Sequence, residues 1–398
     1  MKKPLKIAIY SGDIPSTTFI ERLIQGVSNS GTQVFLFGHL KHKPIYGEGV
    51  KVYGYKNTKG SKLWVLIKYT CLLFLFKPAQ KKRLDAILKK TNKNTLYAKV
   101  KCYPVLWHQP DIFHVQWAKG LDEWMWVQAF GIKLVLSLRG SHINYSPIAD
   151  QALAARYRQN FPKVDGFHAV SQAIAKEACK YGADKQHIQV VKSGLKLQDF
   201  LFQLKTTNPQ TPINILSVGR EHWVKNYRLA LDAMHALKQL GLAFRYDIIG
   251  VSGEEALLFQ RAQLGLEQEV GFIGPLPFKE VQKAIKEADV MLLPSVEEGI
   301  ANVVLEAMAL GTLVVSTDCG GMKEVVLPKQ TGYLVPVRDA QAMALALKEV
   351  SELPLETYQR ITQQARAFVE ANHSEAQMVS GMLGLYKRLM LEGPDKVN

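Results

Sequence analysis

Two glutamates eight positions apart, Glu298 and Glu306, carry the most chemical information in this chain. Ahead of them, residues 290–293 form a short, wholly apolar run, as expected of a strand buried in a parallel sheet. Pro294 stops that strand, and residues 294–301 read as a loop. Residues 303–310 then have helical spacing, closed by Gly311 where a C-cap glycine belongs. Free N–H groups in such a loop and at a helix start favour anionic or hydroxyl-rich ligands. Glu306, about one turn into the helix, leans back toward that start. A carboxylate buried there needs hydrogen-bond donors; ribose hydroxyls supply them, and Glu298 on the loop could hold a second polyol. Together they suggest a nucleotide sugar. Without their surroundings, the pair would more often be a loop acid and a helix-surface acid.

The surroundings decide it. Residues 295–309 resemble the E-x7-E signature of the retaining glycosyltransferases of family 4, with Glu298 and Glu306 as its two acids. Residues 217–226 resemble that family's diphosphate clamp, with Arg220 and Lys225 as the cations. Residues 316–324, with Gly320, Gly321 and Glu324, resemble its glycine pair and following glutamate, and residues 331–336 its late strand. Residues 169–171, Gly182 and residues 193–195 match the end of its first domain. The resemblance is dense from about residue 169 to 336, diffuse before and generic after. It implies an α/β fold of two facing Rossmann-like domains, the GT-B architecture, with the ligand in a cleft between them. It also implies retaining transfer from a nucleoside-diphosphate sugar, with no cofactor. UDP is the first expected nucleotide and GDP the next. The implied acceptor is a glycan or lipid-linked glycan, as in cell-surface polysaccharide or lipopolysaccharide-type biosynthesis.

The roles follow from this chemistry. Breaking the anomeric bond leaves negative charge on the diphosphate, which a preorganised site must stabilise. No D-x-D occurs in the chain, so a metal is not expected, and Arg220 and Lys225 serve instead. Arg offers a planar fork and Lys a compact charge. Plain surface charge is the other explanation, but their position just after a strand ending at Gly219 favours the site. Glu306 is assigned to the ribose hydroxyls. Glu298 is assigned to the donor sugar, with the N–H groups of Gly299, Ile300 and Ala301 nearby. Gly12, after the first strand, would allow close backbone approach, although residues 12–19 depart from the family's longer glycine-rich stretch. Arg139 departs further, standing where many relatives have a histidine. It cannot act as a base but can bind an anion; on the family's mechanism the leaving phosphate itself accepts the acceptor's proton. His142 and His114 are each either cleft residues or structural ones. Three rivals remain: a nucleotide-sugar epimerase, a catalytically silent sugar-nucleotide-binding subunit, and a dinucleotide oxidoreductase. The last is disfavoured because no G-x-G-x-x-G follows the first strand.

Composition bounds the setting. The 398 residues suit two domains. Cys71, Cys102, Cys179 and Cys319 form no C-x-x-C, so neither a zinc site nor a disulfide framework is expected, and a reducing cytoplasmic location fits. Lys6 and Asp13 interrupt the first apolar stretch, which reads as a strand rather than a signal peptide. Residues 1–200 hold 31 Lys and Arg against 12 Asp and Glu, a net of +19, while residues 201–398 hold 19 against 23, a net of −4. Within residues 41–101 there are 16 basic residues and two acids, Glu48 and Asp85. The same segment contains the apolar, aromatic run 63–76, too short to span a bilayer. It is either an interfacial helix docking residues 59–101 on an anionic membrane, or a buried helix beside a solvated basic face. A peripheral position on the inner face of the cytoplasmic membrane follows from the first. No nucleic-acid motif accompanies the charge, and no nucleic-acid partner is expected.

Alternating apolar runs and helical patterns predict strands at 6–10, 33–38, 112–115, 133–138, 166–170 and 187–191, then a second series from 213. Residues 206–212 read as a linker. The expected organisation is an acceptor domain at 1–205, a donor domain at 206–375 and a helix at 376–398 returning to the first domain.

Overall fold

The structure, a computed structural model, describes residues 4–207 and 212–391. Positions 208–211 of the expected linker, and the end of the last expected helix from 392, lie outside the described residues. The chain divides into two compact units: Met1–Val170, Ala175–Val191 and Glu375–Asn398 form the first, and Ser171–Ile174 with Lys192–Ser374 form the second.

The first unit is built on an eight-stranded parallel sheet. Its strands are β1 (Lys6–Tyr10), β2 (Gly12–Ile14), β3 (Gln33–Leu40), β4 (Val50–Tyr55), β5 (Ile112–Val115), β6 (Lys133–Leu138), β7 (Gly166–Ala169) and β8 (Ile188–Val190). β3 pairs with β1 at its start, with β2 at its end and with β4 along its length, and the sheet then continues β1-β5-β6-β7-β8. Strand order therefore reverses between β1 and β5. The second unit has a six-stranded parallel sheet, in the order β11-β10-β9-β12-β13-β14. These strands are β9 (Ile213–Val218), β10 (Phe244–Ile249), β11 (Val270–Ile273), β12 (Val290–Leu293), β13 (Leu313–Thr317) and β14 (Tyr333–Val335). Here order reverses between β9 and β12. In open parallel sheets such reversal points leave a crevice at the strand C-terminal ends, where ligands bind.

The unit boundary falls at 191/192 rather than 205/206. Leu195 and Phe200 explain the shift, since both are buried in the core around the helix Asn302–Leu310. The helix Glu375–Leu391 belongs to the first unit. Its Met378, Met382, Leu385, Tyr386 and Leu389 share a core with Ile20, Leu23, Ile24 and Val27 of α1 (Thr18–Asn29). Gly26 of α1 is required by that packing, because a Cβ there would fall on Val379 Cγ2.

Between β4 and β5 lie three helices, α2 (Lys59–Phe76), α3 (Pro78–Lys90) and α4 (Leu96–His108). The apolar run anticipated at 63–76 is part of α2, and it is apolar on two faces. Val65, Tyr69 and Leu73 are buried, whereas Leu63, Trp64, Ile67, Cys71, Phe74 and Leu75 are exposed, with Trp64 at 61% and Phe74 at 67%. At 100° per residue the exposed set falls within one side of the helix. No helix among the described residues is long and apolar enough to cross a membrane.

Candidate functional site

β9 ends at Val218, and at Gly219 a Cβ would lie 2.8 Å from the Tyr227 hydroxyl and 3.2 Å from Lys225 Cε, so both side chains close in on this glycine. Arg220 follows and is exposed. A 3-10 turn, Trp223–Lys225, and Asn226 in the left-handed region (φ 54°) then lead into the helix Tyr227–Gln239. This tight turn brings Lys225 back toward the neighbouring strand β12. Val296 N donates to Val224 O at 2.9 Å, joining the two loops. Lys225 Nζ lies 2.6 Å from Glu298 Oε1, and the Ser295 hydroxyl donates to the same oxygen at 2.9 Å. The two charged side chains are 18% and 17% exposed, so the pair is largely withdrawn from water. One expected clamp cation is thus already an ion-pair partner of one expected sugar-binding acid. Burial first, then Arg220 and Lys225, hold the His222 imidazole below its usual range. A cavity of about 600 Å³ is lined by Glu221, His222, Trp223 and Tyr227, and its lining includes neither Arg220 nor Lys225.

The glycine pair explains how the Glu298 loop is held. Gly320 has φ +54°, and a Cβ on it would strike the Glu298 carbonyl oxygen; one on Gly321 would strike the Gly299 carbonyl oxygen. Gly321 N also donates to Glu298 O at 3.3 Å. Glu324, the acid after the pair, accepts from Gln172 N at 3.0 Å and Ala173 N at 2.9 Å, and so caps the helix Gln172–Cys179 alongside Ser171.

The helix Asn302–Leu310 starts at the end of this loop and stops at Gly311, which takes φ 96° as a left-handed C-cap. Glu306 is its fifth residue and partly exposed. Ile300 and Ala301 bury their side chains, so only their backbones can serve a ligand. The Gly299 and Ile300 N–H groups have no acceptor among the described residues. Ala301 N is instead directed at Met322 Sδ, 3.4 Å away, which removes it from the expected set of donors.

In the first unit, Gly12 takes φ +92° at the start of β2, with nothing within 4 Å of a Cβ placed on it. Arg139 follows β6 directly. Its Nη2 donates to Gln116 Oε1 at 3.2 Å, and the guanidinium lies 4.6 Å from the Phe19 ring. His142, in the short turn Ser141–Asn144, has its ring 5.3 Å from that of Trp117 and is partly exposed. His114 is structural: it is fully buried, with Nδ1 2.7 Å from the Tyr386 hydroxyl and Nε2 2.8 Å from the Ser137 hydroxyl. Burial first, then His168 and Arg139, keep it neutral. His114 therefore ties the sheet to the C-terminal helix and takes no part in the site.

Sequence reasoning passed over Gln116, Ser295 and Trp223. Gln116 stands to β5 as Arg139 stands to β6, the first residue past the strand end, and that parity was its only signal.

Comparisons with known proteins bear on the family and the fold. Residues 17–199 match Glycosyltransferase Family 4, and residues 201–368 match Glycosyl transferases group 1. A putative colanic acid biosynthesis glycosyltransferase, WcaL of Escherichia coli, is 35% identical over 226 residues, 55% of each chain. The amylovoran biosynthesis glycosyltransferase AmsK of Erwinia amylovora is 36% identical over 178 residues, 43% of this chain and 44% of its own. The matched segment thus spans about half the length of these relatives. Among solved structures, HepE of Anabaena in complex with UDP-glucose superposes with a TM-score of 0.72 at 16% identity, covering 97% of this chain and 100% of the other. At that identity the likeness establishes the fold, two parallel-sheet α/β domains of the GT-B kind.

Proposed function

We propose a function from the family to which this chain belongs, the group 1 glycosyl transferases with a Family 4 first half: it moves a sugar from a nucleoside-diphosphate sugar to a glycan acceptor in exopolysaccharide assembly, with retention of configuration. The observation that carries this is the Lys225–Glu298 ion pair at the reversal point of the second sheet, between Arg220 and the helix bearing Glu306. In this scheme Arg220 and Lys225 meet the leaving diphosphate, Glu306 the ribose hydroxyls, and Glu298 with the Gly299 and Ile300 N–H groups the sugar. The bond from the anomeric carbon to the diphosphate oxygen breaks as the acceptor oxygen bonds to that carbon on the same face. The acceptor's proton passes to the leaving phosphate. The two cations take the charge-neutralising role, consistent with a sequence that has no D-x-D.

A thermal-unfolding panel of UDP, GDP, ADP and their sugars tests the donor site. A nucleotide that binds the folded state raises the midpoint by mass action. The expected result is a rise with UDP or a UDP-sugar, GDP being next in order, that Glu306→Ala removes. A panel with no response from any nucleotide would sink the donor reading. Donor hydrolysis without acceptor then separates an active enzyme from a silent binding subunit.

The acceptor side of this reading is a lipid-linked glycan reached at an anionic membrane through α2. A helix apolar on both faces needs a cover for each, and the face bearing Trp64, Ile67 and Phe74 is exposed. Residues 59–90 carry nine Lys and Arg against Asp85 alone. A second copy docked face to face would set like charges against each other, whereas an anionic bilayer accepts both the apolar row and its basic border. Wild-type protein is expected to sediment with vesicles containing phosphatidylglycerol, less so as salt rises, and W64E/F74E to remain in the supernatant by at least about tenfold. Wild-type protein that ignores such vesicles at low salt would refute the membrane assignment.

A further inference from the structure

We propose that Arg139 and Gln116 form a subsite for an acidic group, a carboxylate or phosphate ester carried by the sugar substrate, which makes the chain selective for an anionic glycan. This rests on the glycosyl-transfer reading above.

The two residues are the first past the ends of β5 and β6, which are adjacent parallel strands. Gln116 is fully buried. Its Oε1 accepts from Arg139 Nη2, and also faces the Ser137 hydroxyl at 3.4 Å, which fixes the amide so that Nε2 points the other way. That Nε2 and Arg139 Nε are both buried and lack a hydrogen-bond partner. Two adjacent buried donors without acceptors are uncommon in folded proteins. One of them belongs to a guanidinium that no carboxylate approaches among the described residues.

The neighbouring groups do not supply the counter-charge. His114 and His168 are buried and neutral, and Ser137 bridges them at 2.8 Å each. Tyr386 is a buried phenol whose titration burial pushes far up. Burial lowers Arg139 itself only to about 10, so it stays charged at neutral pH. A partly buried guanidinium with no carboxylate partner is unfavourable, and an oxyanion relieves both the charge and the unused donors. The guanidinium fork suits a carboxylate or phosphate, whereas a neutral hydroxyl would satisfy one donor and leave the charge. Around the pair, Phe19 and Trp117 (6.0 Å, edge to face) and His142 form an aromatic wall of the kind that receives the apolar face of a sugar ring.

The test uses the full chain in thermal unfolding at constant ionic strength, with glucose, glucuronate and glucose 6-phosphate, on wild type and Arg139→Gln. Glucuronate or glucose 6-phosphate is expected to raise the wild-type midpoint in a saturable way, by about 2 °C. Glucose should do nothing, and R139Q should lose the response. Which of the two acids responds identifies the carboxylate or the phosphate ester. R139Q without ligand should melt at or above the wild-type temperature, since a partly buried charge with no carboxylate partner has gone. An equal rise in R139Q would mark an adventitious anion elsewhere. No rise from either acid, or a clear fall in the R139Q midpoint, would mark a structural arginine. Each of these overturns the proposal. Nucleotide-sugar responses measured in parallel report on the second unit separately, so failure there is distinguishable.

Discussion

Lys225→Ala is expected to lower sugar transfer by about 100-fold or more, the usual scale for removing one preorganised charge from a site of developing anionic charge. The structure adds a complication that a bare clamp would not have. Lys225 is bonded to Glu298 at 2.6 Å in a pair less than one-fifth exposed, so removing the cation alone takes the bonded ammonium away from a largely buried carboxylate. A drop in stability should therefore accompany the drop in rate. Glu298→Ala in the same chain removes that carboxylate as well. The double variant K225A/E298A should regain much of the lost melting temperature while remaining inactive. A rate that recovered along with stability would mean that the pair only holds the loops together. Measuring both quantities on the two single variants and the double variant closes the cycle.

Gly320→Ala should abolish the nucleotide-sugar response and destabilise the second unit by about 2–4 kcal/mol, the sum of left-handed strain and a backbone collision. The added methyl meets the Glu298 carbonyl oxygen, a backbone atom that no rotamer change can move aside. The loop carrying Glu298 must shift, and with it the acid and its bond to Lys225. Gly265→Ala is the control, because Gly265 also has a positive φ (+61°) but nothing within 4 Å of its Cβ. It should show only the backbone strain, about 1 kcal/mol, and keep the nucleotide response. If the two variants behaved alike in thermal unfolding and donor response, the contact with Glu298 would not matter to the site.

Much of this arrangement was legible from residue order. Strands buried on both faces are continuous apolar runs, and 6–10, 112–115, 133–138 and 290–293 have the bounds observed for β1, β5, β6 and β12. Their period and length leave little choice. β2, β4 and β13 escaped notice. β2 is three residues beginning at a glycine, β4 has mixed burial at one side of the sheet, and β13 runs directly into the glycine-pair segment that drew attention instead. The two acids, the two cations and the glycine pair are local patterns, and local patterns survive in a sequence.

What the chain order could not show is which of these groups touch. Lys225 and Glu298 are 73 residues apart and meet only because β9 and β12 are neighbours in the sheet. His114 read equally as a site residue until Tyr386, 272 positions away, was seen bonded to it. Gln116 became conspicuous only when its amide was found buried beside Arg139. The sequence by itself determined the two parallel sheets and the ends of strands at which chemistry could occur, because hydrophobic period and loop composition act over a few residues. The tertiary structure alone decided which charge meets which partner, because pairing, burial and desolvation depend on strand order across the sheet.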